Sequence, residues 1–565
     1  MGATCAIGLL GGFRATVRGR EIPRQAWRRR GADLVKLLAL APDHRLHREQ
    51  VMDALWPDLD PKAAAANLRK AVHFARRALE SEHAVGADRE MLVLWSEGAL
   101  DIDIERFEAA AREAIPAGPD ACARAAEMFT GDLLPEDRYT EWTEPTRERL
   151  RLLYLELLRA CGAWERILEF DRGNEEAHRA LMQGYLEAGN RGATIRQFER
   201  LREVLRVDLG VGPDEETVGL FEKALEMEGH APPTPAEAVR ALIARGLVHW
   251  NRQELDAAER IADEARSLAV EAELGRDLGE ACALLGLVSW ARGRWLDRFR
   301  TEFSESVHRT PDLARWVVDS QLCLAEFSLY GADWSQTVVP LAKELLTVAE
   351  EAGSVPGQAL VMLILGEAEL FSGRLEASES RLTQALDLHG TAGIVGGQVL
   401  ALQRLAEAAV AGGRGRRAAG LLAQARGLAE ESELDAHLLV RNFAVMLGAA
   451  GTEAARFKIL DEAEAVLGGR ELCSPCSIGY RIAAARAYAQ AQDIGRGRRC
   501  LEEAERLAGL WQGGPWIAAT WEVRGLLRLA EGDTDQAAAL LREAADLFAQ
   551  VGRPLDEARC LAHVV

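Results

Sequence analysis

Residues 45–79 read RLHREQVMDALWPDLDPKAAAANLRKAVHFARRAL, a short helix, a Trp-Pro stop and then a basic amphipathic helix. At about 100° per residue, Leu68, Val72, Ala75 and Leu79 fall in one narrow stripe, while Lys70, His73, Phe74 and Arg77 lie on the far side. One face packs and the other meets a partner, which is the layout of a DNA-reading unit. Trp56 and Pro57 read as a core plug that ends the first of the two helices, since Trp buries a large apolar area and Pro stops helices.

The flanking sequence completes the unit. Residues 7–22 alternate and break at Gly11-Gly12 and Arg18-Gly19-Arg20, predicting short strands joined by tight turns. Residues 27–41 predict a helix, arginine-rich at its start, with Leu34, Leu37 and Leu38 facing inward. After the opening stretch, MLVLW (91–95), a Ser96-Glu97-Gly98 turn and ALDIDI (99–104) predict a hairpin. Strands, three helices and a hairpin in this order make an α+β winged helix-turn-helix over residues 1–105. From Arg106 the pattern becomes helical, with a break at Pro116 to Pro119 and a strong amphipathic helix over 141–160. Three more helices follow in 175–225, with turns at Gly189-Asn190 and Gly210 to Pro213. Pro232, Pro233 and Pro235 mark a boundary, so 106–228 reads as an all-α domain and 229–236 as a linker.

Beyond the prolines the chain repeats. Small residues recur at Gly246, Gly286, Ala325, Gly366, Ala406, Ala444, Ala485 and Gly525, at intervals of 38 to 41 residues. Nine residues after each comes a turn site: Leu255, Trp295, Trp334, Leu375, Gly415, Glu453, Ile494 and Thr534. A fixed period near 40 with two helices per unit predicts a tetratricopeptide-like α-solenoid of about eight repeats over 237–565. The small residue is where two helices come closest. The fold class is therefore mainly α, with a winged helix at one end and a solenoid at the other.

Charge is divided along the chain. The 565 residues carry a formal net charge of -20, yet residues 1–83 hold 15 Lys+Arg against 9 Asp+Glu, a net of +6, which leaves -26 on the other 482. A basic head on an acidic body confines phosphate contact to the head, where affinity would be salt-dependent. No run approaches the roughly 18 apolar residues that cross a membrane, and the start, MGATCAIGLLGGFRATVRGR, is too short in its apolar part for a signal peptide. With nine scattered cysteines, these features predict a cytoplasmic, reduced protein with no membrane partner.

Five segments carry a resemblance: RRRGADLVKLLAL (28–40), REQVMDALWPD (48–58), NLRKAVHFARRAL (67–79), GDLLPEDRYTEWTEPTRERLRLLYLELL (131–158) and EEAHRALMQGYLEAGNRGATIRQFERLREVLRVDLGVGPDEET (175–217). In content and order they resemble the Streptomyces antibiotic regulatory protein family, in which an OmpR-type winged helix precedes a bacterial transcriptional activator domain. Between Leu158 and Glu175 this chain has only RACGAWERILEFDRGN, so the first helical repeat of the activator domain is shortened. Larger relatives add a nucleotide-binding module, but GIVGGQ (393–398) and GGRGRR (412–417) lack the Lys-Ser/Thr end of a phosphate loop.

The resemblance implies a transcriptional activator that binds double-stranded promoter DNA, touches RNA polymerase, and can act as a homodimer on DNA. It also implies that residues 63–79 lie in the major groove. Asn67 suits adenine, and Lys70 or Arg77 suits guanine or phosphate, with His73 beside them. Arg28, Arg29 and Arg30 at the start of the first helix are placed to grip one phosphate strand. Arg89, just before the expected hairpin, is the candidate for the minor groove. The repeats would sense an unknown effector ligand or protein.

Other chemistry has little support. Trp250, Trp290, Trp295, Trp316 and Trp334 read as repeat core rather than a ligand pocket. Cys473-Ser474-Pro475-Cys476 is a lone CxxC; zinc would need two further ligands and none is evident nearby, so free thiols are expected and no cofactor or metal is assigned. His178, His249, His308, His389 and His437 have no spaced partners, and no catalytic set emerges, so the chain does not read as an enzyme. The competing reading is a protein–protein interaction scaffold whose winged helix does not bind DNA; the charge asymmetry disfavours it.

Overall fold

Two glycines turn the first strand back on itself. In the computed structural model, which describes residues 5–564 apart from 58, 97, 139, 207–210, 228–229, 433, 469–471 and 510–513, β1 (Cys5–Gly8) pairs antiparallel with β2 (Arg14–Val17). Gly11 and Gly12 make the reversal with φ of 73° and 127°, values that L side chains avoid. Glu97, Gly210 and the start of the 229–236 linker lie outside the described residues.

Helices α1 (Arg29–Leu40), α2 (Arg48–Leu55) and α3 (Pro61–Ala78) follow the strands, with β3 (Arg20–Glu21) added to the edge of β2. The apolar stripe read from the sequence is the packed one: Leu34, Leu38, Ala75 and Leu79 are buried. Trp56 is buried at the end of α2, and Asp60 then caps α3 by accepting from Lys62 N at 3.0 Å and Ala63 N at 3.1 Å, with Pro61 at the first helical position.

The wing differs from the expectation. Met91–Leu94 (β6) pairs antiparallel with β5 (Val85–Asp88) across a two-residue turn at Arg89-Glu90, and its other edge takes β4 (Arg45–His47). Residues 100–102 form β7, which leaves this sheet and pairs parallel with β1. The reason is local: Arg89 adopts φ 56°, closing a tight turn, whereas Trp95 at φ 53° is buried and takes the chain out of the ladder. The strand Val85-Gly86-Ala87-Asp88 has almost no apolar alternation, so periodicity could not reveal it.

Seven helices follow: α4 (Asp103–Ala117), α5 (Pro119–Ala126), α6 (Glu144–Ala160), α7 (Trp164–Phe170), α8 (Glu175–Glu187), α9 (Arg191–Val204) and α10 (Glu215–Leu225). Gly118 at φ 103° makes the expected break. The short stretch after Leu158 holds α7, only seven residues long, anchored by buried Ile167. The chain divides into two compact units, Met1–Leu181 and Met182–Val565. In the first, Phe129 stacks on Tyr154 at 4.2 Å within the core shared by strands and helices. In the second, Phe198 of α9 stacks on Phe221 of α10 at 4.0 Å, and this pair packs with Ala244 and Val248 of the first repeat.

The solenoid has the predicted period. Each of the eight small residues lies on the first helix of a repeat, from Gly246 in Pro235–Asn251 to Gly525 in Pro515–Ala530. Each predicted turn site is the first residue of the second helix, from Leu255 to Thr534. A side chain at Gly366 would come within 2.7 Å of Leu382, and one at Gly525 within 2.8 Å of Leu541, so the glycines are where paired helices touch. Repeat three also meets repeat eight: Trp334 Nε1 donates to Val551 O at 2.8 Å, and Arg553 donates to Leu329 O at 3.2 Å. None of the described helices is long and apolar enough to cross a membrane.

Candidate nucleic-acid interface and solenoid cavity

Helix α3 presents one continuous basic edge. Lys62, Arg69, Lys70, His73 and Arg77 are all exposed, and none of the four Lys or Arg side chains has an ion-pair partner among the described residues. Several other arginines of the same unit are paired: Arg20 with Glu80, Arg48 with Glu90, Arg149 with Glu108 and Arg159 with Glu176. Arg69 was missed by the sequence reading, although its helical phase places it beside Lys62 and His73. Asn67 and Phe74 sit on the flank, half-buried; Phe74 packs beside Gly31 of α1, where an added side chain would meet Phe74 Cβ at 3.1 Å and Ala75 N at 3.2 Å. That close crossing seats α3 on α1.

Arg28 is the residue before α1, and Arg29 and Arg30 are its first two. All three are exposed. Arg30 is partly engaged, 3.3 Å from Asp33 and 5.7 Å over the Trp56 ring, whereas Arg28 and Arg29 have no hydrogen-bonded or ion-paired side-chain partner among the described residues. Arg89 stands at the tip of the β5–β6 hairpin rather than before it. The acids beside it are neutralised from within, Glu90 by Arg48 at 3.2 Å and Asp88 by Arg45 at 4.0 Å, which leaves Arg89 as the tip's free cation among the described residues. Arg76, also missed by the sequence, donates to Val85 O at 3.0 and 2.7 Å and ties the end of α3 to the hairpin.

The second unit holds an open cavity of about 680 Å³ lined by first helices of repeats three to eight, by Phe548 and by the last helix (Pro554–Leu561). Arg404 donates to Glu326 at 2.6 Å, to Glu367 at 2.9 Å and to Tyr330 Oη at 3.1 Å, and Arg441 also pairs with Glu326. Burial raises the Glu367 carboxyl, with Arg404 opposing it. Trp516 stacks on Tyr330 at 4.1 Å, and Arg553 lies 3.4 Å over Phe371. Trp516 and Arg553 line the cavity, while Trp516 Nε1 and Arg553 Nε are themselves buried with no hydrogen-bond partner among the described residues. Of the five solenoid tryptophans expected in the core, Trp295 and Trp334 are buried there, Trp295 stacking on Phe299 at 4.8 Å and donating to Gln321 at 2.9 Å, whereas Trp250, Trp290 and Trp316 are half-buried.

A family model, the Bacterial transcriptional activator domain, matches residues 102–225. The segment is a bacterial transcriptional activator domain. The activator domain follows a winged helix and precedes tetratricopeptide-like repeats, the order implied by the resemblance to the Streptomyces antibiotic regulatory protein family. No curated protein matches the chain. Among solved structures, Mycobacterium tuberculosis EmbR in complex with a low-affinity phosphopeptide is 19% identical over 44% of this chain and 72% of that one, with a TM-score of 0.34. Rap protein complexed with competence and sporulation factor is 14% identical over 59% of this chain and 97% of that one, TM-score 0.32. Yeast Tom70 is 13% identical over 81% and 95%, TM-score 0.29.

Proposed function

We propose that this chain is a DNA-binding transcriptional regulator of activator type, not an enzyme. In this reading α3 enters the major groove, Arg28 and Arg29 hold a phosphate strand, and Arg89 reaches the neighbouring minor groove. The observation that carries it is the unpaired basic edge of α3 in a chain of net charge -20. Carboxylates are abundant, yet Lys62, Arg69, Lys70 and Arg77 stay without one while Arg20, Arg48 and Arg76 are paired, so the complementary charge would be supplied from outside, and phosphate has the matching chemistry. The activator domain would touch RNA polymerase, and the cavity, lined by Arg404, Arg441 and Trp516 among others, would take a small effector.

The test is selection of genomic DNA fragments by the full chain and by a Lys70→Ala/Arg77→Ala variant. Enrichment of a discrete sequence by the former and its loss by the latter supports the reading. Equal binding with an unchanged salt slope removes α3 as the reading helix, and no binding to any fragment favours the scaffold.

A further inference from the structure

The CxxC motif is not isolated once the solenoid is folded. Cys473 immediately precedes the first helix of repeat seven (Ser474–Gln490) and Cys476 lies in its first turn. His437 is on the first helix of repeat six (Asp435–Ala449), and Cys323 on that of repeat three (Ala314–Ser328). Donor atoms of Cys323, His437 and Cys476 all lie within 4.8 Å of one another, and His437 Nδ1 is 3.4 Å from Cys476 Sγ. Cys473, three positions before Cys476 in the CxxC and one position before that helix, is the adjoining thiol that would supply a fourth donor.

We propose that Cys323, His437, Cys473 and Cys476 form a structural zinc site that pins repeat three to repeats six and seven.

The donor set is the first argument. Three thiols and one imidazole make a Cys3His site, a closed tetrahedral combination that favours zinc over hard cations. Spacing is the second. With Zn–S of about 2.3 Å and Zn–N of about 2.0 Å, tetrahedral donor–donor edges are about 3.5 to 3.8 Å. The 3.4 Å contact already fits such an edge, and the other separations among Cys323, His437 and Cys476, within 4.8 Å, need to close by only about an ångström. Placement is the third. The ligands come from three helices separated by as many as 153 positions in the chain, Cys323 to Cys476, and a metal would cross-link repeats three, six and seven beside the Arg441–Glu326 pair.

The site also bears on the cavity. Cys476 lines the cavity wall, and Glu326 and Arg441, which pair there, are one helical turn from Cys323 and His437. Fixing the four ligands would fix that wall.

The test uses the full chain purified without chelator. Elemental analysis is expected to give one zinc per chain, and replacement by cobalt to give the visible bands of a tetrahedral cobalt thiolate. Cys323→Ser and Cys476→Ser are each expected to lose more than nine-tenths of the metal, while Cys161→Ser, in the other unit and outside the cluster, keeps it. The cobalt spectrum of the unsubstituted chain decides the matter even if a variant fails to fold. Absence of both zinc and cobalt bands, a Cys473–Cys476 disulfide in their place, or full metal retention in both cluster variants overturns the proposal.

Discussion

Lys36 Nζ lies 2.5 Å from Asp137 Oδ2, joining the middle of α1 to the activator domain 101 residues later. The Lys36 side chain is only 7% exposed, and its ammonium also faces Glu136 at 3.4 Å and the Phe13 ring at 5.1 Å. A buried cation of this kind is tolerable only with its partners, and removing it leaves carboxylates without their countercharge. Lys36→Met is expected to destabilise the first unit by about 3 kcal/mol, the lower end for a broken buried pair. The first transition of a urea titration, followed by limited proteolysis, measures it; an unchanged midpoint would show that the pair contributes nothing.

Arg69 separates helix phase from residue type. It lies on the exposed edge of α3 with Lys70 and Arg77, whereas Asn67 is half-buried on the flank. On the proposed function, Arg69→Ala lowers the slope of log affinity against log salt by about 0.9, as for one lost phosphate contact. Asn67→Ala is expected to change base preference more than slope, because a neutral side chain releases no counterion. Titrations by fluorescence anisotropy at several salt concentrations distinguish the two.

The wing tip permits a clean substitution. Arg89 has φ 56°, where glycine is less strained than arginine, so Arg89→Gly keeps the turn and removes the charge. The melting temperature should hold or rise slightly while DNA affinity falls about three- to tenfold, the size of one modest charged contact of about 1 kcal/mol. Unaltered affinity would remove the wing from the interface.

His389 supplies a pH dependence. It is fully buried on the second helix of repeat four (Leu375–Ala392), neither ring nitrogen has a hydrogen-bond partner among the described residues, and burial lowers its pKa from 6.5 to about 4. The unfolded chain therefore binds a proton that the folded chain refuses between these two values, so stability falls as pH drops from 6.5 toward 4. At pH 5 the cost is about 2 kcal/mol. His389→Leu should flatten this part of the stability profile between pH 7 and 5, as read by differential scanning calorimetry of both proteins. A parallel decline in the two would assign the loss to other groups.

Close helix contact in the repeats gives a last expectation. Gly366→Val would drive a side chain into Leu382, where an added Cβ already stands 2.7 Å from Leu382 atoms, and overpacking of this kind costs about 1 to 3 kcal/mol. Gly420, with nothing within 4 Å of an added Cβ, is the control, and Gly420→Ala is expected to be neutral or slightly stabilising. Thermal melts of the two variants compare them directly.

Periodic features were legible from the chain alone. The stripe of Leu68, Ala75 and Leu79, the Trp56 plug and the forty-residue spacing of small residues all followed from one-dimensional patterns, because a helix buries what its own repeat lines up. The hairpin did not follow. Val85–Asp88 carries no alternation, and which strand β6 chose was settled by the left-handed turn at Arg89 and by the demand of β1 for residues 100–102 as a parallel partner.

Sequence by itself determined the domain order, the basic head and the α3 face, since charge and helix phase are local properties. Tertiary structure alone decided which cations stay unpaired, because pairing depends on carboxylates brought from other elements, as Glu90 is to Arg48. It also decided the company of Cys476. Cys323 and His437 reach it only because the superhelix brings repeats three, six and seven together, a proximity set by accumulated helix packing that no local pattern encodes.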